Sequence, residues 1–95
     1  MRSRFSAFAV HDAAYLLRTW HFTTRPSDIQ FDPAQRWSRL DIVGRTGGGL
    51  FDADATVEFH AHYVRNGQSG VQDERSRFVR HNGVWVYLGP VPVEY

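Results

Sequence analysis

Near the end of the chain the dipeptide Asn82-Gly83 stands between two runs, residues 71–81 and 84–88, in which apolar and polar side chains alternate. A two-residue type I′ turn needs positive φ at both central positions, and Asn-Gly meets that need with the least strain. The pair therefore predicts a tight hairpin and fixes its register. With His81 opposite Val84, Arg80 faces Trp85, Val79 faces Val86 and Phe78 faces Tyr87. A one-residue slip would move every apolar side chain to the wrong face.

The same alternation extends backwards through residues 55–65, and a further strand is expected over residues 37–43, across a glycine-rich stretch at Gly47-Gly48-Gly49. With a turn through residues 65–70, Val57 is expected opposite Phe78, Phe59 opposite Ser76 and Ala61 opposite Glu74. On the other face Glu58 would meet Arg77, His60 would meet Arg75 and His62 would meet Asp73. One face is then apolar and the other carries complementary charge, as a half-buried antiparallel sheet requires.

The first twenty residues follow a different period. Phe5, Phe8, Ala9, Ala13, Leu16, Leu17 and Trp20 recur at helical spacing, which predicts one amphipathic helix, or two that break near Val10 and His11 with Asp12 as an N-cap. Pro26 ends the helical segment, and residues 33–36, opened by Asp32 and Pro33, read as one helical turn. The sum is an α+β domain, N-terminal helices packed on a twisted four-stranded antiparallel sheet.

Ninety-five residues suffice for one such domain, and aromatic residues at 15% supply its core. There is no cysteine, so neither a disulfide framework nor a thiolate zinc site is available within these residues. No apolar run has the length of a membrane span and no leader pattern follows Met1, which points to a cytoplasmic protein. All eleven basic residues are arginine, but they are interspersed with acids and the net charge is +1, a pattern that speaks against nucleic-acid binding.

The segments MRSRFSAF, DAAYLLRTWH with TTRP, WSRLDIV, VEFHAHY, ERSRFVR and GVWVY together resemble the YchJ-type proteins, over essentially the whole chain. That resemblance implies a cone-shaped central domain of the nuclear transport factor 2-like, or cystatin-like, kind. Members typically carry a cysteine-rich SEC-C zinc motif ahead of the stretch corresponding to MRSRFSAF, a motif that these residues do not include. Related cone folds include isomerases, dehydratases and binding domains, so the resemblance brings a fold and no reaction.

Among the residues themselves, Glu74 carries the most information, because the alternation turns its carboxylate toward the apolar face. An ionised group there needs a partner. Arg2 or Arg4 at the start of the first helix is the expected counter-ion, and an acid or base role in a pocket is the alternative. Ser76 shares that face without a histidine beside it, so no nucleophilic triad is read. Trp20, Trp37, Phe59, Tyr63, Trp85 and Tyr87, with Ser76 among them, are the candidate lining of a pocket between helices and sheet. His60, His62 and Asp73, with Glu58, form a weak candidate set for a divalent metal, more simply read as surface ion pairs. The triple glycine lacks the lysine and the helix of a phosphate loop and reads as a flexible loop, a rim over the pocket mouth. No cofactor is called for.

Three functions follow as expectations: a module that binds a small apolar ligand or another protein; an isomerase, dehydratase or hydrolase using Glu74 as acid or base with Tyr63 or Tyr87 as donor; and a homodimeric scaffold joined through an outward row of Val84, Val86 and Leu88.

Overall fold

The computed structural model describes residues 1–91. Two helices, α1 (Arg2–Ala9) and α2 (Ala13–Arg18), precede four strands, β1 (Gln35–Gly47), β2 (Asp54–Arg65), β3 (Gln68–His81) and β4 (Val84–Pro90). The strands form one antiparallel meander in the order β1-β2-β3-β4. This is the α+β architecture expected from the two hydrophobic periods.

The helical segment divides where the sequence suggested. His11 takes a positive φ of 58°, and the Asp12 carboxylate accepts a hydrogen bond from the Tyr15 amide at 3.0 Å. The cap satisfies one of the amides that a new helix leaves without a partner. Leu16 of α2 is completely buried. Beyond α2 the chain runs alongside β4: Tyr87 donates its amide to the Thr19 carbonyl and accepts from the His21 amide, a short parallel bridge centred on Trp20.

Residues 33–36 do not form the expected helical turn. Asp32 instead accepts from the Ala34 amide through its side chain and from the Gln35 amide through its carbonyl. This Asx-type turn reverses the chain directly into β1, which starts two residues before the expected strand.

Both hairpins on β3 turn on Asn-Gly. Asn82 and Gly83 have φ of 51° and 80°, and Asn66 and Gly67 repeat this with 50° and 79°. The register between β3 and β4 is the expected one, with His81 opposite Val84 and Phe78 opposite Tyr87. The register between β2 and β3 is not. A two-residue turn at Asn66-Gly67 pairs Arg65 with Gln68, so Phe59 lies opposite Glu74, Val57 opposite Ser76 and Ala61 opposite Gln72. The difference is two residues, which changes every partner and leaves every side chain on its expected face.

Strand β1 reaches its register through irregularities at Ser38 and Val43. Each extra residue resets the alternation. As a result Trp37, Leu40 and Ile42 pair with Tyr63, Ala61 and Phe59 on the inner face, while Val43 is left exposed. Phe59, Ala61, Ser76 and Tyr87 are the best-buried residues of the inner face, beneath Arg4 and Ala7 of α1.

The outward row proposed as a dimer contact is not a continuous apolar surface. Val84 is 59% exposed but Val86 is only 8% exposed and Leu88 is half-buried. The Thr19–His21 segment occupies the free edge of β4, the edge the sequence alone would leave open.

Candidate functional site

Between α1, the Trp20 segment and the inner face of the sheet lies a cavity of about 260 Å³. Its walls come from Phe5 and Phe8 of α1, from Trp20, and from Trp37, Phe59, Ala61 and Tyr87 of the sheet; Arg4, Gln72 and Glu74 supply its polar groups, and Met1 completes it. The helix brings Arg4, Phe5 and Phe8 to one side because they recur at three- and four-residue spacing. Trp37 closes the far end, edge-on to both Phe5 and Tyr63.

Arg4 is 93% buried, at 7% exposure. Its guanidinium carbon lies 3.6 Å from the centre of the Tyr87 ring, 4.5 Å from Trp20 and 5.2 Å from Phe8. Aromatic faces attract a cation but do not serve its N–H donors with an ordinary hydrogen-bond acceptor. Those donors are incompletely served. Arg4 Nη1 is buried without a hydrogen-bond partner, and so is Trp20 Nε1.

The expected ion pair is therefore not formed. Among the described residues, no carboxylate lies within salt-bridge distance of Arg4 or of Arg2, and Arg2 is exposed. Glu74 has another partner: the Ser76 hydroxyl donates to Glu74 Oε2 at 2.5 Å. The two side chains are neighbours on one face of β3, two residues apart, and Ser76 is fully buried. Burial pulls Arg4 below its ordinary value, opposed by Tyr87 and by the charge of Glu74. Burial also pushes the Tyr87 phenol up; the charge of Glu74 adds to this, while Arg4 and Ser76 oppose it.

Of the residues expected to line a pocket, Trp20, Trp37, Phe59 and Tyr87 surround the cavity, and Glu74 joins them. Tyr63, Ser76 and Trp85 do not. The Tyr63 ring lies across Gly70, its cross-strand partner. Ser76 sits beneath Glu74, and Trp85 packs under the Arg80 guanidinium at 4.8 Å. Phe5, Phe8 and Gln72 belong to the cavity without having been singled out. The two phenylalanines carried a signal, since they share the helical stripe with Leu16, but a stripe alone does not separate core from cavity wall.

The candidate metal set is dispersed. His60 faces Asp73 at 3.6 Å, whereas His62 bonds Asp41 of β1 at 2.8 Å. The two-residue difference in register moves Asp73 from His62 to His60. Among the described residues no three histidine or carboxylate groups converge on a metal-sized site. The rest of this outer face is ordinary cross-strand pairing: Glu58 with Arg75, and Asp54 with Arg77.

The glycine-rich connection after β1 is not a rim of the cavity either. Arg80 donates to the carbonyls of Leu50 and Gly49, and the Asp52 carboxylate accepts from the Gly49 amide. These bonds tie the loop to the β3–β4 end of the sheet.

Two short helices over an antiparallel meander of four long strands place the domain in the nuclear transport factor 2-like class. The family model described as the YchJ middle NTF2-like domain matches residues 1–90, and the chain belongs to that family. It is 51% identical over 88 residues to a UPF0225 protein of Streptomyces avermitilis, covering 93% of this chain and 60% of that protein. It is 53% identical over 87 residues to a UPF0225 protein of Corynebacterium glutamicum, covering 92% and 69% of the two chains. Its fold matches the solution structure of a SEC-C motif containing protein from Rhodopseudomonas palustris with a TM-score of 0.82 at 28% identity, over 99% of this chain and 76% of that one. This chain thus spans between three-fifths and about seven-tenths of the length of those two relatives. No helix among the described residues is long and apolar enough to cross a membrane.

Proposed function

We propose that the cavity between α1 and the sheet binds a small, largely apolar molecule. The observation that carries this reading is the cavity itself, about 260 Å³ with Phe5, Phe8, Trp20, Trp37, Phe59 and Tyr87 around it. The hollow is partly open to solvent, so a molecule can enter it without the helix and sheet separating. An apolar hollow of about 150 Å³ is enough to hold benzene. By that scale this one accommodates a molecule of about ten non-hydrogen atoms. The Ser76 hydroxyl holds Oε2 of Glu74, which fixes this carboxylate as one of the polar groups in the cavity wall.

The three tryptophans provide the test, two at the cavity and one outside it. In two-dimensional amide spectra, titration with indole shifts the side-chain signals of Trp20 and Trp37 and leaves that of Trp85 in place. Ala61→Leu, which places extra atoms in the cavity wall, abolishes the response. Shifts of Trp85 equal to those of the other two, or a response that survives Ala61→Leu, contradict the proposal.

A further inference from the structure

We infer that the molecule bound in this cavity is a small aromatic or aliphatic carboxylic acid whose carboxylate is held by Arg4. The inference deepens the reading just given and rests on it. A guanidinium keeps its charge at neutral pH even when buried, and Arg4 is buried to 93% at the wall of the cavity. A cation taken out of water requires an opposite charge and acceptors for its in-plane donors. The protein supplies neither in full: the described carboxylates all lie beyond salt-bridge distance and Nη1 has no acceptor.

What surrounds Arg4 instead is three aromatic faces. They hold the guanidinium in place but accept no ordinary hydrogen bond at its edge, where Nη1 is buried without a partner. A carboxylate matches that edge better than any neutral acceptor, because it takes two parallel N–H bonds and cancels the charge. Trp20, whose buried Nε1 is a second unpartnered donor, belongs to the same wall. The remaining lining is apolar, so the acid carries a hydrophobic body, and the volume limits that body to about one ring with a short chain. Glu74 sets a limit on the affinity. Its charge also borders the cavity and acts on Arg4, so it competes with the ligand carboxylate for that cation, while the apolar body lies against the aromatic wall.

The test compares 3-phenylpropionate with its neutral amide, 3-phenylpropionamide, by following the Trp20 and Trp37 side-chain signals. The acid is expected to bind at least about tenfold more tightly than the amide, the lower end of the range for a hydrogen bond to a charged group. Arg4→Met keeps much of the side-chain volume, and there the preference disappears. Glu74→Gln removes the like charge, and there the preference increases. Equal affinity for the two probes, or a preference that survives Arg4→Met, overturns the assignment. Should Arg4→Met fail to fold, an unchanged preference in Glu74→Gln overturns it. Binding of the amide alone refutes only the acid, whereas binding of neither probe refutes the cavity reading as well.

Discussion

The Ser76 hydroxyl donates to Glu74 Oε2 at 2.5 Å, and the pair faces inward from neighbouring positions on one side of β3. Because Ser76 is fully buried, the cost of losing either partner is unequal. Ser76→Ala removes a charge-assisted bond and is expected to cost about 1–2 kcal/mol. Glu74→Ala leaves a buried hydroxyl without an acceptor and is expected to cost up to about 3 kcal/mol. Glu74→Gln retains an acceptor and costs less than either. In urea denaturation the Ser76→Ala, Glu74→Ala double variant should be more stable than the sum of the singles by about 1 kcal/mol. Additive losses would show that the two groups do not depend on each other.

How much of this site was legible in the sequence depends on which physical quantity carried it. Alternation is a local property, so the inward direction of Glu74 and Ser76 could be read from β3 alone. Their partners across β2 could not, because the turn before β3 decides them. Asn66-Gly67 offers the same signal as Asn82-Gly83, but the polar run Gln68-Ser69-Gly70 reads as loop, although its backbone pairs with Val64 and Tyr63. The two helices were legible from period and cap. Which of Arg2 and Arg4 turns inward, and against aromatic rings rather than Glu74, was not, since the burial of Arg4 arises only when Trp20 and Tyr87 are brought together by the bridge between the post-helical segment and β4. The two RSRF stretches likewise share letters and not geometry: Arg2 and Arg4 are separated by about 200° on a helix, one exposed and one buried, whereas Arg75 and Arg77 share the outer face of a strand.

Tyr63 and Gly70 are cross-strand partners, and a Cβ added at Gly70 would collide with the Tyr63 ring. The ring in turn packs edge-on to Trp37 at 5.5 Å. Gly70→Ala is therefore expected to destabilise by about 1–3 kcal/mol through overpacking. In a Tyr63→Ala background the clash is gone, and the same change becomes neutral or stabilising by up to about 1 kcal/mol, because alanine restricts the unfolded chain more than glycine does. Thermal or urea melts of the four proteins check this. A Gly70→Ala penalty that persists without the Tyr63 ring would place its origin in the backbone instead.

On the outer face, Arg77 Nε donates to Asp54 Oδ1 at 2.6 Å, and this bond holds the Asp54 carboxyl below the usual carboxylate value. A depressed folded value means that the unfolded chain binds the proton more readily. The contribution to stability is thus present above the ordinary carboxylate range and is lost as pH falls through the lowered value. Both side chains are about half exposed, so the effect on stability is small and reduced further by salt. The titration itself is the sharper readout. Carbon NMR of the carboxyl groups should show Asp54 titrating below the normal range, returning to it in Arg77→Gln. An Asp54 signal unmoved by that substitution would remove Arg77 as the cause.

The Tyr87 phenol ties the cavity to alkaline stability. Burial raises it above the ordinary phenol value, the charge of Glu74 adds to the rise, and Arg4 opposes it. The folded state holds this proton more tightly than the unfolded chain does. Tyr87 therefore contributes fully below the ordinary phenol range, and the contribution drains away as pH rises from that range through the elevated folded value. Followed by near-ultraviolet absorbance with Tyr87→Phe as the blank, the group should ionise above the ordinary range. It should move higher still in Arg4→Met, which loses the nearby cation, and lower in Glu74→Gln, which loses the nearby anion. The opposite signs separate electrostatic from purely apolar control, because a value set by burial alone would respond to neither substitution.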